Sequence, residues 1–146
     1  MLAISLRQPI ADLLVTGRAD AFEGYRRARP GGRIAIHAGL SSDDAGWVAE
    51  LWARAPEEAT IAAEVARRLT ACGHPTGARV DGCQPCARFG AVVGSIEIVE
   101  LHVTCGGCTA WAAPDKPHWR VRSAIECSPM AWRGEPQPFQ VPYPDM

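Results

Sequence analysis

The chain has 146 residues, 47% hydrophobic and 21% charged, enough apolar content for one ordinary domain with a buried core and too much for a disordered chain. Its formal net charge of −1 excludes a global basic field of the kind that coats duplex DNA. No run approaches the ~20 apolar residues of a membrane-spanning helix, and the opening Met1–Leu6 meets Arg7 before a secretory core can form, so the expected setting is the cytoplasm, with residues 1–146 as one domain.

Residues 2–6 (Leu-Ala-Ile-Ser-Leu) read as a short buried strand. Pro9 suits the first turn of a helix, where its missing N–H would be unpaired in any case. Ile10, Leu13 and Leu14 follow at helical spacing, and Gly17 ends the element. Residues 33–38 read as a second strand. Its alternation puts His37 with Arg33 and Ala35, opposite Ile34 and Ile36. With the two Ile toward the core, His37 faces outward or into a groove, as a hydrogen-bonded structural histidine.

Ser41-Ser42-Asp43-Asp44 looks like a helix N-cap with acids in the first turn. Trp47, Val48, Leu51, Trp52 and Ala55 then make one apolar stripe, and Pro56 breaks it or opens a new helix. Ile61, Val65 and Leu69 continue the helical spacing toward Gly73. The pair, about 42–72, reads as a helical insertion between strands. Residues 74–89 are a loop rich in Gly, Pro and Cys. Residues 90–103 carry the clearest β pattern, with Gly94 marking a bulge or a close backbone approach. Residues 104–117 return to loop, and 119–125 and 139–141 supply late strands. The expected fold is α+β: a small, mostly antiparallel β-barrel with an N-terminal helix and a helical insertion.

Charge is uneven along this chain. Arg26, Arg27, Arg29 and Arg33 fall within eight residues, beside Tyr25. Arginine pairs phosphate oxygens bidentately and stacks on rings, so this stretch is a candidate phosphate-facing edge; a solvated loop is the plainer reading. Trp111, Lys116, His118 and Trp119 follow the long strand, and two Trp near a His and the chain's one Lys suit the wall of a base-binding pocket. Core packing is the competing role for Trp119, while Trp47 and Trp52, on the helical apolar stripe, read as plain packing.

Three segments resemble the ASCH family of the PUA-like superfamily: Ser5-Leu-Arg-Gln-Pro-Ile-Ala11, Gly32-Arg-Ile-Ala-Ile-His-Ala38 and Gly90-Ala-Val-Val-Gly-Ser-Ile-Glu-Ile-Val-Glu100. Trp111-Ala112, His118-Trp119 and the segment from Arg133-Gly134 to Pro142 are also similar. The resemblance implies a PUA-like barrel with a cleft beside the first helix and an RNA or nucleotide-like ligand. It brings Arg7, Gln8 and Glu23 into the candidate site, where the Gln8 amide either reads a base edge as both donor and acceptor or satisfies loose backbone groups at the helix start. For some members it implies nucleoside amidohydrolase activity on a modified cytidine, with a Lys and Thr three apart. Residues 19–25 hold neither. A hydrolase here would draw on Glu23, Glu97, Glu100, Lys116 and His118. A third role, suggested by family members linked to coactivators, is a protein partner bound through helices 42–72.

Six cysteines in a reducing compartment argue for metal before disulfides. Cys83-Gln-Pro-Cys86 and Cys105-Gly-Gly-Cys108 have the spacing of a structural four-cysteine zinc site. Reach constrains it, because a straight strand over 90–103 at ~3.3 Å per residue would separate the pairs by about 45 Å. A shared zinc at Cys83, Cys86, Cys105 and Cys108 needs that strand to stop early or bend at Gly94. Two local sets avoid the strain: Cys72, His74, Cys83 and Cys86, or His102, Cys105 and Cys108 with a fourth ligand. Cys127 reads as a free thiol.

Overall fold

The computed structural model describes residues 1–24, 30–42, 45–78, 80–103 and 105–142. The candidate residues Tyr25, Arg26, Arg27 and Arg29 and the acidic cap Asp43–Asp44 lie outside the described residues.

The opening strand β1 (Leu2–Gln8) leads through a cis Gln8–Pro9 bond into α1 (Ile10–Val15). A three-residue strand β2 (Ala21–Glu23) follows, then β3 (Arg33–Ser42). The expected helical insertion is present as α2 (Ala45–Arg54) and α3 (Pro56–Thr70). Pro56 sits at the first position of α3, with Glu57 and Glu58 in its first turn and Arg67 and Arg68 in its last, each on the favourable end of the helix dipole. The Cys-rich loop holds one turn of helix, α4 (Gln84–Ala87). Then come two long strands, β4 (Ala91–His102) and β5 (His118–Ala131), and a short β6 (Phe139–Gln140). None of these helices is long and apolar enough to cross a membrane.

The six strands form one sheet in the order β2-β5-β4-β3-β1-β6. β1 and β3 are parallel; every other pair is antiparallel. The expected barrel does not close. The outer strands β2 and β6 have three and two residues, too few to curl the edges together, and the sheet stays open.

Alternation sorts the strand residues between two faces. Ile4, Ile34, Ile36, Ile96 and Ile98 join the main core, with Leu13 and Leu14 of α1, Leu51 of α2 and Val65 and Leu69 of α3. Ala3, Ala35, Val92, Cys127 and Phe139 make a smaller cluster on the other face. Arg33 shares the face of Ala35, where its guanidinium donates to Ser95 Oγ (2.9 Å) and to the Ser123 carbonyl (2.8 Å). His37 is buried there as well, within 2.9 Å of Ser5 Oγ and 2.7 Å of the Trp132 carbonyl, edge-on to Phe139. It is the hydrogen-bonded structural histidine the alternation suggests.

Gly94 fulfils both sequence expectations. The β3 and β4 ladders shift register beside it, and a Cβ built there would stand 2.3 Å from the Ile125 carbonyl oxygen and 2.8 Å from Val15 Cβ. α1 and β5 press on this backbone from two sides. Gly94→Ala is expected to destabilise the protein by about 1–3 kcal/mol, the usual cost of overpacking, measured as a fall in the thermal midpoint; an unchanged midpoint would refute the close-approach account.

Candidate ligand cleft and metal centres

A cleft of about 170 Å³ opens beside the start of α1, between Leu6, Arg7, Pro9 and Ile10 on one side and Phe22, Glu23, Trp47 and Trp111 on the other. That size suits one planar ring system and is small for a drug-sized ligand. Trp47 of α2 and Trp111 of the 103–117 loop lie nearly parallel, centroids 6.3 Å apart at 19°. Glu23 Oε1 accepts the Ala113 N–H at 2.9 Å, and Lys116 Nζ stands 3.9 Å from Glu23 Oε2 and 3.6 Å from Glu50 Oε2. Arg7 is exposed at the rim. Arg7, Glu23 and Trp111, three residues far apart in sequence, therefore line one cleft, with Lys116 beside it.

Other candidates lie elsewhere. Gln8 is fully buried behind the turn: its amide donates to Asp12 Oδ1 (2.8 Å) and the Arg88 carbonyl (2.9 Å), and its Oε1 accepts the Asp12 N–H (3.0 Å). Gln8 thus satisfies the Asp12 N–H, one of the first-turn N–H groups that have no partner within the helix. Trp119 is in the main core, opposite Phe22 of β2 and Leu101 of β4. Trp47 was read as plain packing; helical spacing finds an apolar face but not which end of it borders a hollow. Trp52, on the same helix, is half-exposed and outside the cleft.

Five of the six cysteines gather in two clusters, Cys127 lies apart in the sheet, and the shared four-cysteine set is not assembled. Cys72, His74, Cys83 and Cys86 form one group, and His102, Cys105, Cys108 and His118 another; in each, the candidate donor atoms lie within 4.8 Å of one another. Each group could hold a metal ion. The reason for the split is the reach that constrained the shared site: β4 runs through 12 residues, from Ala91 to His102, about 35 Å at the rise of a strand, and despite its register shifts it stays paired with β5 to its end. One C-x-x-C pair precedes it and the other follows it.

In the first cluster, His74 Nδ1 is 3.5 Å from Cys83 Sγ and 3.4 Å from Cys86 Sγ, and the Cys72 and Cys86 sulfurs are 3.9 Å apart. The cluster ties the chain just past α3 to α4. The Cys86 N–H lowers the Cys83 pKa, while the Cys83 side chain, with burial and Cys72, pushes Cys86 up to about 11.

The second cluster is completed across the β4–β5 ladder, where His102 is paired with His118. His118 Nε2 is 3.5 Å from Cys105 Sγ and 3.3 Å from Cys108 Sγ; His102 Nδ1 is 3.0 Å from Cys108 Sγ. Gly106 and Gly107 both take positive φ, 66° and 99°, which lets the turn fold back so that the Cys108 N–H donates to Cys105 Sγ at 3.2 Å. The Cys108 side chain first, then the N–H groups of Cys108 and Gly107 and the His102 ring, bring the Cys105 pKa down to about 6 against the opposing effect of burial. Each pair thus contains one thiol already biased toward the thiolate that a metal requires. Sequence spacing pointed to His102, Cys105 and Cys108 with a fourth ligand unnamed. His118, expected in the ligand pocket, takes that place.

No family model matches the chain, and neither does any curated protein. The structure alone defines the class: an α+β protein with an open six-stranded sheet and, among the described residues, an aromatic-walled cleft and two Cys/His clusters. Gln8→Leu removes an amide that satisfies three buried or half-buried polar groups, and is expected to cost about 1–3 kcal/mol for each one left unpaired. Chemical denaturation measures this; wild-type stability in the variant would sink the capping role.

Proposed function

We propose that this chain is a binding module for one nucleotide-like base, free or as an unpaired residue of RNA, with its loops braced by zinc. The observation that carries the reading is the cleft itself, in which aromatic rings, a carboxylate and a guanidinium converge on a space the size of one ring system. Every base offers a π-face to stack on an aromatic side chain. Glu23 Oε2 can accept from an exocyclic amino group, as a carboxylate does from cytosine N4. Arg7 at the rim suits a phosphate. The resemblance to ASCH domains adds support, since its most specific segment, Ser5–Ala11, supplies Leu6, Arg7, Pro9 and Ile10 of the lining. Zinc fits the donor set of thiolates and imidazoles in groups of four. The reducing cytoplasm is where such thiols persist.

The second reading, hydrolysis of an amide on a modified cytidine, draws on Glu23 and Lys116 standing 3.9 Å apart at the same cleft. Acetate release from N4-acetylcytidine, lost in Glu23→Gln, would select it over simple binding.

Tryptophan fluorescence titrations with the four nucleoside monophosphates and a short single-stranded RNA test the first reading. Trp111→Ala or Trp47→Ala is expected to weaken binding by about 1–3 kcal/mol, the contribution of one stacked base. Glu23→Gln should erode the preference for cytosine over uracil, and affinity for the RNA should fall as salt rises. Trp52→Ala, outside the cleft, serves as the control. No saturable binding of any probe, or an equal loss in the Trp52 variant, would overturn the assignment.

A further inference from the structure

We propose that the chain holds two zinc ions at centres that share no ligand, and that the ion at His102, Cys105, Cys108 and His118 fixes the wall of the cleft. The first claim stands on the spacing of the donor atoms. For Zn–N ~2.0 Å and Zn–S ~2.3 Å, a regular tetrahedron has N···S edges of about 3.5 Å and S···S edges of about 3.8 Å. The Cys72–Cys86 sulfurs are 3.9 Å apart, and His74 lies 3.5 and 3.4 Å from its two thiols. His118 lies 3.5 and 3.3 Å from its own two, and His102 lies 3.0 Å from Cys108, about half an ångström inside the ideal edge. Neutral thiol–imidazole hydrogen bonds do not require four donors to meet at these edges together; a small four-coordinate cation does.

The imidazoles of the second centre are also oriented from behind. His118 Nδ1–H donates to the Lys116 carbonyl at 2.8 Å, which leaves the Nε2 lone pair toward the two sulfurs. His102 Nε2–H donates to Glu100 at 2.8 Å, which leaves Nδ1 toward Cys108. A ring nitrogen that ligates a metal is usually set in this way by what its partner nitrogen donates to. With four protein ligands each, both centres are closed, as structural zinc sites are.

The second claim follows from where the four ligands of that centre lie in the chain. They clamp both ends of the 103–117 loop: three at its start, His118 at its finish. The loop carries Trp111 and Lys116. Between the clamps it is also held by Thr109 to Asp20 (2.5 Å), Arg54 Nε to the Ala110 carbonyl (3.4 Å), Ala113 N–H to Glu23 (2.9 Å), Cys105 N–H to the Pro114 carbonyl (3.4 Å), the Lys116 ion pairs and the burial of Trp111. His118 is also paired with Glu23 across β5 and β2. Loss of the ion would release the segment that keeps Trp111 against Trp47. The first centre joins α3 to α4 and contributes no residue to the cleft.

The test uses the full chain and needs no ligand. Elemental analysis is expected to give two zinc per chain in the wild type and in Cys127→Ser, one in Cys72→Ser, and one in Cys108→Ser. The parallel pair Trp47–Trp111 should give an exciton couplet in circular dichroism, identified by its loss in Trp47→Phe. That couplet should persist in Cys72→Ser and vanish in Cys108→Ser and in His118→Ala. Cobalt in place of zinc should show tetrahedral d–d absorption at both centres. A single zinc lost by both Cys83→Ser and Cys105→Ser would overturn the two-centre claim. A couplet that survives loss of the second zinc would overturn the coupling to the cleft. The coupling deepens the nucleotide reading but fails separately from it: an intact couplet with two zinc ions and no nucleotide binding sinks only that reading.

Discussion

His102 and His118 meet because β4 and β5 pair antiparallel along nearly their whole lengths, from Ala91 opposite Ala131 to His102 opposite His118. This ladder is the constraint on which the rest of the molecule depends. Among the described residues β2 pairs with β5 alone, and at three residues it could not persist without it. Gly94 in the middle of β4 lets α1 approach the sheet closely enough for Leu13, Leu14 and Val15 to be buried. Where the ladder runs out, a loop of about fifteen residues leaves β4 and must return to β5. Loops of that length without regular structure are uncommon in compact domains and usually serve a site. Here the loop's two ends are brought together by the same cross-strand pairing that completes a metal centre.

The two walls of the cleft are held by different chemistry. On the α1 side, Arg88 grips Asp12 through both nitrogens and both carboxylate oxygens at 2.8–3.0 Å and reaches Glu126 at 3.2 Å. Gln8 closes the same network. A six-residue helix has little stability of its own, so this largely buried ion pair, with the apolar burial of α1, sets where Pro9 and Ile10 stand. The charges are paired and hydrogen-bonded, the condition under which burial of charge is tolerated. On the opposite side, the 103–117 loop has no such ion pair and no helix to bury. It is held by the burial of Trp111 and Ala112 and by the Cys/His cluster at its two ends, which is why the proposed metal dependence falls on that wall.

Much of the fold was legible because local signals agreed with tertiary ones. Alternation in 33–38 and 90–103 gave two central strands with the right faces, Pro9 and Gly17 bracketed α1, and the apolar stripe with Pro56 located the helical pair. β2 escaped because Ala21-Phe-Glu23 is too short to show a period, and its pairing with β5 is a long-range fact. Closure of the sheet was expected from the run of strands and from the family resemblance alike, and the short edge strands do not deliver it. The late strand was read as ending near Ile125 and continues to Ala131 because its partner β4 keeps offering backbone groups to pair.

The site was legible in its residue types and less so in its groupings. Arg7, Glu23 and Trp111 were named from three different segments and line one cleft. Spacing identified both C-x-x-C pairs as metal-ligating in character, yet spacing is a statement about loops, and the choice of partners depends on the element between them. A flexible linker of the same length would have let the pairs meet. A continuous 12-residue strand holds them at its two ends, so each pair recruits what the fold brings near. For Cys83–Cys86 that is the segment after α3, with Cys72 and His74; for Cys105–Cys108 it is the far strand of the ladder, with His118. A histidine at the start of a strand beside a tryptophan reads from sequence as part of a pocket wall. Its ring instead turns toward the thiols because the Lys116 carbonyl holds Nδ1–H from the other side, so that one residue joins the metal centre to the border of the cleft.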